Sequence, residues 1–306
     1  MDLIKKIKEV RPNLKDNSIN AYIITLKKLN DNKTIDDLDF LADKEDIKKK
    51  IDSLKLTTSR NYLTAILVIL QAYDANEKLI DYYKNMINKS NDEYNKIMST
   101  NNKSEKQETN WIALSELTKI FNDYEKEIKS MDLKNKIKIK PTEKNKLQEY
   151  LVAGLYTLLP PIRLDYTPMK VVKNNKNLKD DTNYLVNYGR NKKEFVINEY
   201  KNSKSKGQQI IKVPPKLNTI INQWLKYNDT GNFLLNNRGD VLSPNGLGKM
   251  ITKVFKSTGK QVTINLLRSI YISEHINIDA IKESKKLADA MGHSVAVQQN
   301  IYYKDD

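Results

Sequence analysis

The 306-residue sequence contains no cysteine and only two histidines, His275 and His293. The absence of cysteine excludes a disulfide-stabilised fold, a zinc ribbon and a thiol nucleophile. Two histidines do not favour a histidine-rich metal site, and we predict neither a metal nor another cofactor. The hydrophobic content of 39% is sufficient for folded cores, and the length suits two domains.

Long apolar segments are also missing. The two longest apolar runs, Leu63–Leu70 and Leu151–Ile162, are shorter than the ~18 apolar residues that a membrane-spanning helix needs. The first ten residues alternate between charged and apolar types and lack a signal-peptide core. We therefore expect an intracellular protein without a membrane partner. The sequence does not distinguish the cytoplasm from the nucleus of a host cell.

Several common catalytic motifs are absent. The sequence has no GxxxxGK[ST] phosphate-binding loop, no HExxH and no GxSxG. The function must therefore be sought in residues that are distant in the sequence.

Basic residues are in clear excess, with 53 Lys plus Arg against 38 Asp plus Glu and a net charge of +15. Most of the excess lies in residues 101–306, which hold 35 basic and 22 acidic side chains. Such a charge favours a polyanionic partner, and double-stranded DNA is the simplest one. The alternative is an AT-rich coding bias towards lysine, asparagine and isoleucine.

Apolar spacing predicts a mainly α-helical protein with a small antiparallel β-sheet. Helices are expected from Ser18, around 47–54 and from Thr58, and again from Trp111 and over 143–159. Three short strands are expected within 184–190, 194–200 and 208–214, and helices follow to the end of the chain. The segment 88–110 is polar and suits an exposed linker. We predict a helical DNA-binding domain over 1–90, a linker over 91–110 and a mixed α/β domain over 111–306.

The second domain contains a spaced series of polar residues. Arg163 follows a helix in LLPPIRLDY, and a lysine-rich hairpin, EYKNSKSKGQQIIKVP, comes next. Arg268 lies in TINLLRSIY, His293 in MGHS, and two tyrosines in QQNIYYK. Taken singly, each residue has a structural explanation such as a cap, a surface ion pair or helix packing. Their joint order and spacing have none.

This order resembles the tyrosine recombinase (phage-integrase) family over about residues 111–306. The family has an arginine, a hairpin lysine, H-x-x-R, G-H and a tyrosine nine residues after that histidine. Tyr302 follows His293 by nine residues, which selects Tyr302 over Tyr303. The helical N-terminal region is similar to the family's core-binding domain. The PPIRLDY form and the Asn- and Lys-rich composition are similar to virus- and mobile-element-type integrases.

The resemblance implies a site-specific recombinase or integrase that needs neither metal nor ATP. Arg163 and Arg268 would donate hydrogen bonds to the phosphate oxygens, and His293 would hydrogen-bond the phosphate. Tyr302 would attack the phosphorus, forming a 3′-phosphotyrosine and a free 5′-hydroxyl. A hairpin lysine would protonate the leaving oxygen. We prefer Lys201, which we place at the end of a strand, and take Lys204 as the alternative.

One position departs from the family pattern. Asn265 stands where H-x-x-R has its histidine, and an amide cannot accept a proton near neutral pH. A DNA-binding protein with a decayed site is therefore one alternative. A type IB topoisomerase or resolvase-like enzyme, which shares much of the catalytic set, is another.

We also expect DNA contacts from Arg60 at the start of a helix and from Lys204 and Lys206 in the hairpin. The resemblance further implies a homo-tetramer on DNA, with two domains that clamp the duplex.

Overall fold

The computed structural model describes residues 2–304. The chain divides into two compact units, Met1–Lys103 and Ser104–Asp306. No helix among the described residues combines the length and apolar character that crossing a membrane requires.

The first unit is a helical bundle. Its helices are α1 (Leu3–Val10), α2 (Asp16–Leu29), α3 (Lys44–Asp52), α4 (Leu56–Ala72) and α5 (Glu77–Ser99). Helix α4 is the most apolar of them and packs against α1, α2, α3 and α5. It has buried side chains on several faces, including Leu63, Ile66, Ile69 and Leu70, as expected for a central helix.

The segment 91–110 is helical over most of its length. Helix α5 continues to Ser99, and a short helix α6 spans Glu105–Asn110. Ser104 and Gln107 form a capping box at the start of α6. The segment has no glycine or proline, the residues that most often interrupt helices, and only residues 100–104 separate its two helices. The assignment of 1–90 and 111–306 as functional domains stays a prediction.

The second unit combines helices with one small sheet. Its elements are α7 (Leu114–Ser130), α8 (Pro141–Thr157), β1 (Met169–Val172), β2 (Asn183–Asn187), β3 (Lys193–Ile197), α9 (Ser203–Lys206), β4 (Gln209–Lys212), α10 (Pro215–Leu225), α11 (Pro244–Val254), α12 (Ile264–His275), α13 (Ile278–Ala290) and α14 (Val295–Val297). A single π-helical turn, Gln298–Tyr302, follows α14.

Helix α8 lies at the centre of this unit. Every residue from 147 to 156 is buried, and α7, α10 and α11 pack around it. The buried amide of Gln148 exchanges two hydrogen bonds of 2.8 Å with the backbone of Leu235, which satisfies both polar ends inside the core. Helix α8 ends at Thr157, shortly before Pro160 and Pro161.

The predicted fold class, mainly helical with a small sheet, is confirmed, but the sheet is mixed rather than antiparallel. Strands β2, β3 and β4 are the three expected strands and pair antiparallel. Strand β1 was not expected, and it pairs parallel with β2. It has only four residues and directly follows Pro168, which leaves too short a pattern to detect.

The strand order β1-β2-β3-β4 determines which loops meet. The start of β1, the start of β2 and the end of β3 share one edge of the sheet. The loop that precedes β1 contains Arg163, and the loop that follows β3 contains Lys201. Topology alone therefore brings these two loops to the same edge.

Candidate active site

Arg163 lies in the loop of residues 158–168, the Arg163 loop, which aromatic side chains hold at both ends. Tyr156 in α8 donates a hydrogen bond from its Oη to the backbone oxygen of Arg163 at 2.8 Å. Tyr166 is fully buried and packs edge-on against Tyr156 and Phe195. The backbone around Arg163 is thus fixed, while the arginine side chain remains half-buried.

Asp165 is electrostatically coupled to both predicted catalytic arginines, Arg163 and Arg268. Burial raises the pKa of its carboxyl above the ordinary value, and the positive charges of Arg163 and Arg268 oppose that shift. The positive charges of a loop residue and of a residue in helix α12 therefore both act on one carboxyl group.

Helix α12 presents Arg268 and Asn265 from one surface. The opposite face enters the core through Leu266, Leu267 and Ile270. Arg268 is half-buried and Asn265 is exposed, and residues three apart are neighbours on a helix. The Asn265 amide is therefore placed to donate a hydrogen bond beside Arg268.

His293 owes its position to the end of α13. The backbone N–H of His293 bonds the oxygen of Ala288 at 3.1 Å, and that of Gly292 bonds Asp289 at 3.2 Å. These two bonds form a Schellman motif, with Gly292 in the left-handed region at φ 71°. The Gly-His pair in the sequence is therefore a helix stop that sets the direction of the histidine.

The rings of His293 and Tyr302 are in contact. Their centroids are 5.1 Å apart and the rings are inclined by 23°. The Nε2 atom of His293 is buried without a hydrogen-bond partner in the described part of the chain. Tyr302 is 59% exposed and Tyr303 is 68% exposed, but only Tyr302 stacks on the histidine.

The predicted residues thus form two groups. The arginine pair is Arg163 with Arg268, and the histidine–tyrosine pair is His293 with Tyr302. Within residues 2–304, no hydrogen bond, ion pair or ring contact joins one group to the other.

The lysine candidates lie in the loop of residues 198–208, the Lys201 loop. Strand β3 ends at Ile197, so Lys201 lies in the following turn and not at the strand end where we placed it. Lys204 and Lys206 are on α9, and all three lysines are exposed. The Asn183 side chain donates hydrogen bonds to the backbone oxygens of Asp165 and Glu199. These bonds place the Lys201 loop beside the Arg163 loop.

Arg60 has an internal role in the helical unit. Its Nε donates to the Oδ1 of Asn91 at 2.8 Å, and its guanidinium lies 3.9 Å from the ring centroid of Tyr94. These contacts join α4 to α5. A DNA contact by Arg60 stays a prediction.

Three polar residues of the second unit were not anticipated from the sequence. Asp165 is only two residues beyond Arg163 in LLPPIRLDY, where an acidic residue among apolar ones is a usable signal. Asn183 and Lys193 lie in ordinary strand sequences, and their burial, to 4% and 2% exposure, has no local signal. Among the described residues, no three histidine or acidic side chains are grouped as a metal site would require.

Comparison with known proteins gave matches among solved structures, two of which are described here. No protein-family model matches the sequence, and no curated protein sequence matches it. The crystal structure of XerA recombinase is 14% identical, with a TM-score of 0.35, over 100% of this chain and 94% of that one. The XerH site-specific recombinase, bound to its difH substrate in a pre-cleavage complex, is 15% identical, with a TM-score of 0.47, over 99% and 84%. Both of these proteins are recombinases by name, and both TM-scores are below 0.5.

Proposed function

We propose that the chain is a site-specific DNA recombinase or integrase that cuts and rejoins strands through a 3′-phosphotyrosyl intermediate. The observation that carries the proposal is the stacking of Tyr302, the predicted nucleophile, on the ring of His293. The charges of Arg163 and Arg268, the predicted phosphate ligands, both act on the carboxyl of Asp165. Two guanidinium groups that are close together can donate paired hydrogen bonds to one phosphate and keep their charge at any working pH.

The reaction follows from the residue types. The Oη–P bond forms from Tyr302 as the P–O5′ bond breaks, and the two arginines stabilise the extra charge on the phosphorus oxygens. Tyr302 is 59% exposed, so its proton can pass to water. The O5′ atom takes a proton from Lys201. The phosphotyrosyl bond retains the energy of the original linkage, so rejoining to another strand needs no ATP.

His293 and Asn265 complete the assignment. The Nε2 atom of His293 is buried and has no hydrogen-bond partner among the described residues, so it must become exposed before it can hydrogen-bond a phosphate oxygen beside Tyr302. The exposed amide of Asn265 can donate to the same phosphate from the surface of α12, but it cannot accept a proton.

The partner in this proposal is double-stranded DNA, bound by both units and synapsed by a homo-tetramer. Residues 1–90 act as the core-binding domain, 91–110 as the connection and 111–306 as the catalytic domain. Lys204 and Lys206 contribute positive charge next to Lys201, where they attract the phosphate backbone.

A covalent-trapping assay tests the proposal. The full chain is mixed, without metal or ATP, with nicked duplexes from the DNA that flanks its own gene, and the mixture is run on a denaturing gel. The nick lets the 5′-hydroxyl fragment diffuse away, so the covalent complex accumulates. We expect a protease-sensitive, retarded band with the wild type and with Tyr303→Phe, but none with Tyr302→Phe.

Other outcomes have defined meanings. A band that survives Tyr302→Phe and disappears with Tyr303→Phe moves the nucleophile by one residue. DNA binding without a band on any duplex supports the decayed-site alternative. Relaxation of supercoiled DNA without exchange between duplexes supports the topoisomerase alternative.

A further inference from the structure

The side chain of Asn183 connects two loops that are far apart in the sequence. Its Nδ2 donates to the backbone oxygen of Asp165 at 3.0 Å and to that of Glu199 at 2.9 Å. Its Oδ1 accepts from the backbone N–H groups of Asn198 and Glu199 at 2.9 and 2.8 Å. An amide has two donor hydrogens and two acceptor lone pairs, so all four are used. Asn183 is 4% exposed.

The amide has two arms, the donor nitrogen Nδ2 and the acceptor oxygen Oδ1, and the two have different partners. The acceptor arm holds only the Lys201 loop, through Asn198 and Glu199. The donor arm bridges the Lys201 loop and the Arg163 loop. The bridge therefore depends on the donor hydrogens.

A second buried asparagine extends the connection. Asn198 is 7% exposed, and its Nδ2 donates to the backbone oxygens of Lys179 and Thr182 at 3.0 and 2.9 Å. Its Oδ1 accepts from Gln208 at 2.7 Å. The Lys201 loop is thereby held at both ends, with Asn198 at its start and Gln208 at its close. The Lys201 side chain is exposed, but the backbone of the loop that carries it is held in place at both ends.

We propose that Asn183 is a positioning residue that sets the distance between the lysine acid and the phosphate held by the arginine pair. This inference rests on the proposed function. The arginine pair holds the phosphate, and Lys201 must reach the O5′ atom of that same phosphate. A displacement of about 1 Å between catalytic groups can cost roughly 100-fold in rate, which explains why a fully bonded, buried amide joins the two loops.

Asn183→Asp separates the two arms. The carboxylate keeps the acceptor bonds to Asn198 and Glu199, but it has no donor for Asp165 and repels that carbonyl oxygen.

Asn228→Asp is a matched control. Asn228 is 5% exposed, with Nδ2 donating to two backbone oxygens and Oδ1 accepting two bonds, but all its partners lie within five residues.

The test compares two leaving groups in the trapping duplex. One duplex carries the normal bridging O5′, which needs a proton as its bond to phosphorus breaks. The other carries sulfur at that position, and the thiolate leaves with the electron pair of the P–S bond and needs no proton. A misplaced acid therefore slows the first reaction and not the second.

We expect Asn183→Asp to form the adduct about 100-fold more slowly than the wild type on the oxygen duplex and within about threefold of it on the sulfur duplex. Affinity for the intact duplex, measured by gel shift, should change by less than about threefold, since the charged groups that bind phosphate remain. Asn183→Ser, which shortens the side chain without adding a charge, gives the same contrast if the aspartate variant folds poorly.

An equal loss on both duplexes, or the same loss in Asn228→Asp, would overturn the positioning role. Lys201→Ala is the reference, because it should show the same contrast between oxygen and sulfur. If the wild type forms an adduct but sulfur does not restore Lys201→Ala, the acid assignment in the proposed function is wrong. Absence of any wild-type adduct overturns the proposed function and this inference together.

Discussion

Replacing Lys193 by methionine removes a buried cation that has no acidic partner. Lys193 is 2% exposed, and its Nζ donates to Gly189 at 3.0 Å, Asn218 at 2.8 Å and Asn222 at 2.6 Å. All three acceptors are neutral. Methionine has a similar length and no charge, so the substitution removes the hydrogen bonds with little change in volume.

The expected loss of unfolding free energy follows from the surroundings of the three acceptors. The oxygens of Gly189 and Asn222 lie on residues that are not buried, so water can replace the lysine there. Asn218 is 7% exposed, and an unpaired buried acceptor costs about 1–3 kcal/mol. We therefore expect a loss of about 2 kcal/mol. In a unit of about 200 residues, this corresponds to roughly 4–8 °C in melting temperature.

The effect of Lys193→Met should grow with pH. Burial lowers the pKa of Lys193 below its ordinary value of 10.5, so the unfolded chain binds this proton more tightly than the folded chain. Between the folded-state pKa and 10.5, the unfolding free energy of the wild type therefore rises with pH relative to the variant. The difference in stability should be smallest at pH values below this window.

Calorimetry of the full chain at several pH values measures both effects. Lys192→Met is the matched control, because the neighbouring lysine side chain is 69% exposed and only 3.8 Å from Glu194; it should cost less than about 0.5 kcal/mol. Hydrogen exchange shows which unit is affected. Equal melting temperatures for the two variants, or a difference that shrinks with rising pH, would refute the reasoning.

Two further substitutions test other contacts. Gly292→Ala places a Cβ in the left-handed region at φ 71° with nothing within 4 Å of it, so backbone strain alone should lower the unfolding free energy by about 1 kcal/mol. Slower adduct formation by this variant would show that the strain reaches His293. An unchanged rate would show that it does not. Arg60→Ala removes the contacts to Asn91 and Tyr94 and should destabilise the helical unit by about 1–2 kcal/mol in calorimetry. Relative to Arg60→Ala, the Arg60→Lys variant should regain DNA affinity in a gel shift, because the positive charge returns, but should not regain stability. Recovered stability without recovered DNA affinity would contradict the packing role.

The helices with strong apolar periodicity could be predicted from the sequence. The helices expected from Ser18 and Thr58 appear as α2 and α4, each beginning two residues earlier. Side-chain periodicity is a property of neighbouring residues, so it identifies an element better than its ends. Helix α6 was missed because a polar composition was interpreted as a linker, although Ser104 and Gln107 carry a capping-box pattern.

The candidate site could be predicted residue by residue but not as an arrangement. The nine-residue spacing between His293 and Tyr302 is visible in the sequence, and the structure shows the contact between their rings. The roles of the chosen residues stay predictions. The position of Lys201 relative to β3 was wrong because the strand ends at Ile197, three residues before the end of the predicted segment at 200.

The sequence by itself determined the features that depend on near neighbours: the helical faces, the hairpin strands, the helix stop at Gly292 and the spacing of the tyrosine. Only the tertiary structure decided which distant residues meet. The joint electrostatic effect of Arg163 and Arg268 on Asp165 and the four bonds of Asn183 depend on the parallel pairing of β1 with β2 and on the packing of α12. A polar residue is buried only where other segments supply its hydrogen-bond partners, and those segments lie elsewhere in the chain.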